Sequence, residues 1–248
     1  MVLLPLSAGE WFADVKKDFI QSFIEDDRWK LFVEGLGITL EVTALSLVMG
    51  LAIGVVVAII RSTYDQQHES MRGAGKVLLK IFNTISNIYL TVIRGTPAMV
   101  QLLIMYFVIF ASSRNIIMVA VLTFGINSGA YVAEIFRSGI MAVDRGQMEA
   151  GRSLGFGYVR TMQYIVIPQA FKNVLPALGN ELITLFKETS IVAMIGLRDL
   201  TKAAINVQSV TYQAFMPFIG IAVIYLLVVL ILTRLLGVLE RRLRTGEH

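Results

Sequence analysis

Glu149-Ala150-Gly151-Arg152-Ser153-Leu154-Gly155, followed at Ile165-Val166-Ile167-Pro168-Gln169-Ala170, forms a polar island between apolar segments of membrane length. The surrounding chain of 248 residues is 56% hydrophobic with a mean hydropathy of +0.70, against an apolar fraction of about 45–50% in soluble domains. That composition argues against a water-soluble fold. Charge-free windows run from Val42 to Ile60, Gly95 to Ser113, Asn115 to Ala133 and Ala214 to Thr233. Each is close to the ~20 residues that cross a ~30 Å hydrocarbon layer, so all four are read as spanning helices. A fifth candidate, Leu175 to Gly196, contains Glu181, Lys187 and Glu188. A lone helix in lipid carries such charges at a cost of several kcal/mol, so this one must face protein or water.

Basic residues mark the cytoplasmic loops of a membrane protein. With five spans, 13 of the 22 Lys and Arg fall on one side, seven fall on the other, and Arg94 and Lys187 stay at membrane depth. The N-terminus is therefore expected outside and the C-terminus in the cytoplasm, which puts the Glu149 loop in the cytoplasm between the third and fourth spans. The pI near 9.4 arises from basic residues scattered through juxtamembrane loops. It reads as membrane-surface charge, and no aromatic-interleaved patch suggests nucleic acid. With no cysteine, disulfides, thiolate metal sites and cysteine nucleophiles are excluded, and two isolated histidines, His68 and His248, make a metal centre improbable. Met1 to Leu6 is a short apolar run without a basic leader, so no cleaved signal peptide is expected.

The run from Glu149 to Asn180 resembles the cytoplasmic EAA loop of ABC-transporter permeases. Arg94-Gly95-Thr96-Pro97, Ala130-Tyr131-Val132-Ala133-Glu134-Ile135-Phe136-Arg137 and Lys187-Glu188-Thr189-Ser190 resemble the polar amino-acid uptake branch of that family, the histidine/glutamate/glutamine/arginine/opine group. Four motifs in family order cover most of the chain after about Gly35. Gly151 departs from the pattern, standing where the family usually has a second alanine. The resemblance implies an all-α membrane protein in a bacterial-type cell membrane, working with a second permease, two ATPases and an external solute-binding protein; a copy of this chain is the expected second permease, and the sequence leaves homodimer and heterodimer both open. Glu149, Ala150, Gly151, Ser153, Leu154 and Gly155 would then couple the chain to the ATPase. No glycine loop ending in Gly-Lys-Ser/Thr is present. No cofactor is therefore expected in this chain, and ATP and Mg would be held by the partner ATPase. A first segment to about residue 34 precedes a permease domain of residues 35–248, whose coupling loop runs from about 141 to 172.

Candidate path residues come from periodicity. Thr123, Asn127, Tyr131, Glu134 and Ser138 recur every three or four residues, one face of a helix. In lipid such a face must look at other helices or a water-filled path. Asn180, Glu181, Thr184, Lys187 and Glu188 make a second polar face, extended by Thr189 and Ser190, and Thr39, Thr43 and Ser46 a third. Lys187 and Glu188 read either as a clamp for an amino-acid zwitterion or as a structural ion pair. Thr96-Pro97 has the form of a helix start, with Thr as N-cap and Pro at the first helical position. The half-helix it opens would span ~24 Å to Ser112. Its positive end could meet a substrate carboxylate, or Arg94 could pair with Glu134 and brace an inner gate together with Thr96 and Pro97.

Three features complete the reading. Trp11 to Phe32 looks like an amphipathic piece in the interface plane, either an anchor for the bundle or a docking site. Lys76 to Ile93 reads as an elbow helix or as the start of the second span. Gly50 and Gly54, and Gly125 and Gly129, are four apart and let helix backbones approach, as within one subunit. The expectation is a permease subunit of an ATP-driven importer of polar amino acids, not itself an enzyme. The alternative is a secondary carrier driven by an ion gradient, for which an internal inverted repeat would speak.

Overall fold

The first spanning helix is longer than its charge-free window. α2, Trp29–Gln67, has 39 residues, or about 58 Å at 1.5 Å each, so it extends beyond the hydrocarbon layer. The computed structural model describes residues 8–244, and these are helices and turns with no strand. The readings of Met1–Leu6 and His248 lie outside the described residues. α1, Ala8–Phe19, continues through a π-turn, Ile20–Ile24, to a corner at Asp26 and Asp27, both at positive φ. Trp29 and Phe32, grouped with the amphipathic piece in the sequence, thus belong to α2.

Four helices are long and apolar enough to cross a membrane: α2, α3 (Ala74–Gly95), α5 (Ile116–Met141) and α10, which starts at Phe215 and runs to Arg244. The segment Lys76–Ile93 is accordingly a helix of its own. α3 stops because Thr96, preceding Pro97, is extended at φ −121°, ψ 144°, the conformation that a following proline ring enforces. α4, Ala98–Ile104, then leads into a π-turn, Met105–Ile109. Thr96 is not the N-cap of α4, contrary to the sequence expectation. Its hydroxyl donates back to Val92 O of α3, and Pro97 takes the N-cap position without a side-chain bond. The half-helix therefore starts at Ala98 and ends earlier than expected.

α5 is the centre of the bundle and runs parallel to α2. Along the contact Ser46 meets Val121, Gly50 meets Ser128 and Gly54 meets Val132, both numberings rising together. A Cβ on Gly50 would stand 3.0 Å from Ser128, and one on Gly125 would stand 2.7 Å from Met49 Sδ. Both glycine pairs serve close helix packing within the subunit, where small residues let dispersion act over a short gap.

The polar island folds into α6, Arg145–Ser153, and α7, Tyr158–Thr161, which passes through a π-turn into α8, Ile167–Glu188. α8 begins before the predicted Leu175 because the helix continues unbroken from the π-turn through Pro168. At Thr189 it tightens into a 3₁₀ segment that Gly196 ends at φ +83°. α8 packs antiparallel on α5, with Gly139 against Val174 and Ser128 beside Glu181. α9, Leu200–Thr211, has no counterpart in the sequence reading and is capped by the buried Asp199. One apolar cluster joins Val42, Leu102, Phe124, Leu185 and Val192 from four helices and the 3₁₀ segment. A second joins Phe32, Leu200, Val207 and Ile221.

Candidate functional site

The polar face of α5 is buried at Thr123 and Asn127, and each satisfies its polar atoms differently. Thr123 donates to Val119 O of its own helix, whereas the Asn127 amide donates 2.9 Å to the Gln101 side-chain oxygen. The Gln101 amide donates to Ile93 O, Thr96 O and Thr96 Oγ1. One side chain of α4 therefore fills the backbone acceptors freed by the break and hands its own acceptor to α5. Lower on the face, Tyr131 lies 5.7 Å from the Arg94 guanidinium, and Glu134 makes the expected pair with Arg94 at 3.6 Å. Glu134 is held more closely by Arg137, at 2.7 Å, and Arg137 also reaches Asp65 of α2 at 3.6 Å. Arg137 and Asp65 were not among the predicted residues, although Arg137 sits one turn after Glu134, the spacing of a helical ion pair.

The predicted residues of α8 divide. Thr189 is fully buried, donates to Phe186 O and lies 3.3 Å from the Thr43 hydroxyl of α2. Glu188 and Ser190 are half-buried, while Thr184 and Lys187 are exposed on the single chain. The polar faces of α5 and α8 meet elsewhere, where Ser128 donates 2.7 Å to Glu181 Oε1. Glu181 is half-buried and forms no ion pair among the described residues. A carboxyl so placed is costly to ionise without a cation. The signal for Ser128 was weak because it sits one residue off the periodic line through Asn127.

The loop helix is closed at both ends. Asp144 Oδ1 accepts from Gly146 N, and at the far end Gly155 N donates to Arg152 O while Phe156 N donates to Gly151 O. That pair of bonds, with Gly155 at φ +83°, is a Schellman closure, which needs a residue without a Cβ at the left-handed position. Gly151 departs from the family pattern for a local reason. A Cβ there would meet Thr161 at 2.5 Å and Ile165 at 2.9 Å, because α7 packs directly on it. Glu149, Ala150 and Ser153 are exposed, and Leu154 at the tip is 75% exposed. An apolar side chain presented on a rigid, capped corner is suited to insertion into a cleft. Tyr158 ties the loop to the C-terminal end of α2 through Thr63, and burial pushes its phenol upward.

Long apolar helices joined by buried polar bonds, with a capped polar corner between two of them, define a multi-pass membrane protein. Residues 73–245 match the family described as the binding-protein-dependent transport system inner membrane component, and the chain belongs to that family. It is similar to the arginine transport system permease protein ArtQ of Bacillus subtilis, 39% identical over 87% of this chain and 93% of the relative. It is also similar to the glutamine transport system permease protein GlnP of Escherichia coli K12, 33% identical over 86% and 93%. Among solved structures, an amino acid ABC transporter with histidines matches with a TM-score of 0.77 at 40% identity, over 96% of this chain and 100% of the other. The methionine ABC transporter MetNI shares the fold, with a TM-score of 0.74 at 19% identity over 89% and 99%. The chain is a permease subunit of the ABC importer class and a multi-pass protein of the bacterial cell membrane.

Proposed function

We propose that this permease carries polar amino acids, pairs with a second copy of itself and is driven by two ATPase subunits fed by an external solute-binding protein. The observation that carries the substrate class is its likeness, over more than four-fifths of the chain, to permeases named for arginine and for glutamine. Glu181 supports it from the geometry. Arginine and glutamine share an α-ammonium group, and a half-buried carboxylate fixed by Ser128 is a partner for such a group.

The path runs beside the α5–α8 contact, with Thr123, Asn127, Tyr131 and Glu134 from one helix and Thr184, Lys187, Glu188, Thr189 and Ser190 from the other. Thr123 and Thr189 act through packing, since both hydroxyls are bonded within the protein. Arg94, Thr96 and Pro97 form the inner gate, braced by Glu134. Leu154 is the docking contact of the ATPase, with Glu149, Ala150, Gly151, Ser153 and Gly155 shaping the corner around it. ATP and Mg are bound by that partner.

Five crossings are α2, the broken pair α3–α4, α5, α8 and α10, with the N-terminus outside, a segment to about residue 34 on that face, and the permease domain from residue 35 onward. The parallel course of α2 and α5 supports counting α3 and α4 as one crossing, because two would make α5 antiparallel to α2. Purified complex in liposomes tests the whole reading: ATP-dependent uptake of labelled arginine or glutamine that needs both the ATPase and the binding protein is expected. Uptake by this chain alone under an ion gradient would overturn it. Single cysteines at positions 113 and 198 should label from outside and one at 147 from inside only.

A further inference from the structure

α3 carries three faces. Asn83, Ser86 and Leu90 are buried against the bundle, and Ile81, Ile85, Ile88 and Val92 form an exposed apolar row. Between them Asn87, Thr91 and Arg94 recur at four and three residues and line one wall of a cleft of about 430 Å³. Arg61 of α2 and Glu134 of α5 close the cleft.

The charge in this cleft is not balanced. Arg61 is hydrogen-bonded to Asn87, and its Nε is buried without a partner. Arg94 has only the 3.6 Å contact with Glu134 and the Tyr131 ring among the described residues. Glu134 is taken by Arg137, at 2.7 Å. Two guanidiniums therefore line one cavity, and a guanidinium fork matches the oxygens of a phosphate. Arg61 is also the residue at which the charge-free run of α2 ends, the depth at which a span meets lipid headgroups. The apolar row lies exposed on the same helix.

We propose that this cleft binds the phosphate of an anionic phospholipid, the acyl chains lying along Ile81, Ile85, Ile88 and Val92. Basic pockets between spanning helices take such headgroups. A headgroup carrying its own cation is disfavoured because it would bring a third positive charge to two guanidiniums. Phosphatidylglycerol is the probe of choice, with phosphatidylcholine as the zwitterionic control.

The full importer complex, in bilayer discs of graded phosphatidylglycerol content, is examined by native mass spectrometry for retained lipid. Wild type should retain phosphatidylglycerol in preference to phosphatidylcholine, and Arg61→Gln with Arg94→Gln should bind it roughly tenfold more weakly. Millimolar inorganic phosphate should not displace it. If the double variant does not assemble, Arg61→Gln alone decides, with a smaller loss expected. Equal retention by variant and wild type overturns the proposal. So does displacement by inorganic phosphate, which would make the cleft a free-anion site. Efficient disulfide formation between Ile88→Cys residues of two permease copies would overturn it as well, since protein would then cover the row.

Discussion

Asn127 on α5 and Gln101 on α4 share a 2.9 Å hydrogen bond, and through it the most buried helix of the bundle holds the broken one. Gln101 spends its amide on the α3–α4 break, so its oxygen depends on Asn127. Replacing Asn127 with Leu leaves that oxygen unpaired and should cost about 1–3 kcal/mol. Gln101→Leu should cost as much or more, because it also strips the acceptors at Ile93 and Thr96. The double variant should lose less than the sum of the two, since neither partner is then orphaned. Thermal unfolding of the purified complex measures the cycle; strict additivity would mean that the bond carries no coupling.

Gly151 makes a second case in which sequence and neighbour must be read together. Gly151→Ala restores the residue usual in the family, yet it should destabilise the loop by about 1–3 kcal/mol through overpacking. Thr161→Ser removes the methyl that the new Cβ would meet at 2.5 Å, and should recover part of that loss. The readout is retention of the ATPase during purification. An unaffected Gly151→Ala complex would show that α7 can move away.

The corner offers a way to separate folding from docking. Gly155 has open space around a Cβ but sits at φ +83°, so Gly155→Ala should cost about 1–2 kcal/mol through backbone strain alone. Leu154 makes the opposite prediction. Its side chain is exposed, so Leu154→Ala should leave the permease as stable as wild type and lower ATP-driven uptake about tenfold, the loss of a single apolar anchor. Normal uptake in Leu154→Ala would move the docking contact elsewhere.

Asp199 is fully buried at the start of α9, where it accepts from the Thr201 and Lys202 amides. Burial raises its carboxyl above the ordinary value, against those hydrogen bonds. An acid raised in the folded state favours the neutral form there, so its contribution to stability is complete below the unfolded value and is lost as pH rises through the folded one. Asp199→Asn keeps the acceptor oxygen and has no charge to bury, so its stability relative to wild type should improve across that rise. Asp199→Ala should lose about 1 kcal/mol of capping relative to wild type at pH below that rise. A wild type that gains on Asn as pH rises would reverse the sign.

The long helices α5 and α10 were legible because lipid enforces long charge-free runs, and the polar corner around Gly155 was legible because charge is concentrated there. Other features depend on pairing across the bundle. Pro97 separates α3 from α4, and the apolar window from Gly95 to Ser113 marks only the short helix that follows the break. α9 was missed because its cap, Asp199, reads in sequence as an ordinary loop acid, and the bond that fixes the helix start, from Leu200 N to Thr39 Oγ1, joins residues 161 apart. Thr189 was read as path-facing from its polarity, but its partner Thr43 lies 146 residues away, a distance over which periodicity carries no information.

Glu181 is the carboxylate for which the described residues supply a hydroxyl and no cation, and that asymmetry yields the most direct test of transport. Glu181→Gln keeps an acceptor for Ser128 and nearly the same volume, so assembly and thermal stability should match wild type. What it removes is the charge, and a charge-assisted bond to an ammonium group is about 1.5–3 kcal/mol stronger than none. Uptake should therefore fall about tenfold or more in complexes that still bind the ATPase and the binding protein. Ser128→Ala should fall less, because the carboxylate survives but is less firmly aimed. If Glu181→Gln transports at the wild-type rate and with the wild-type selectivity, the carboxylate serves only to join α5 to α8, and the ammonium group of the substrate must be met elsewhere along the path.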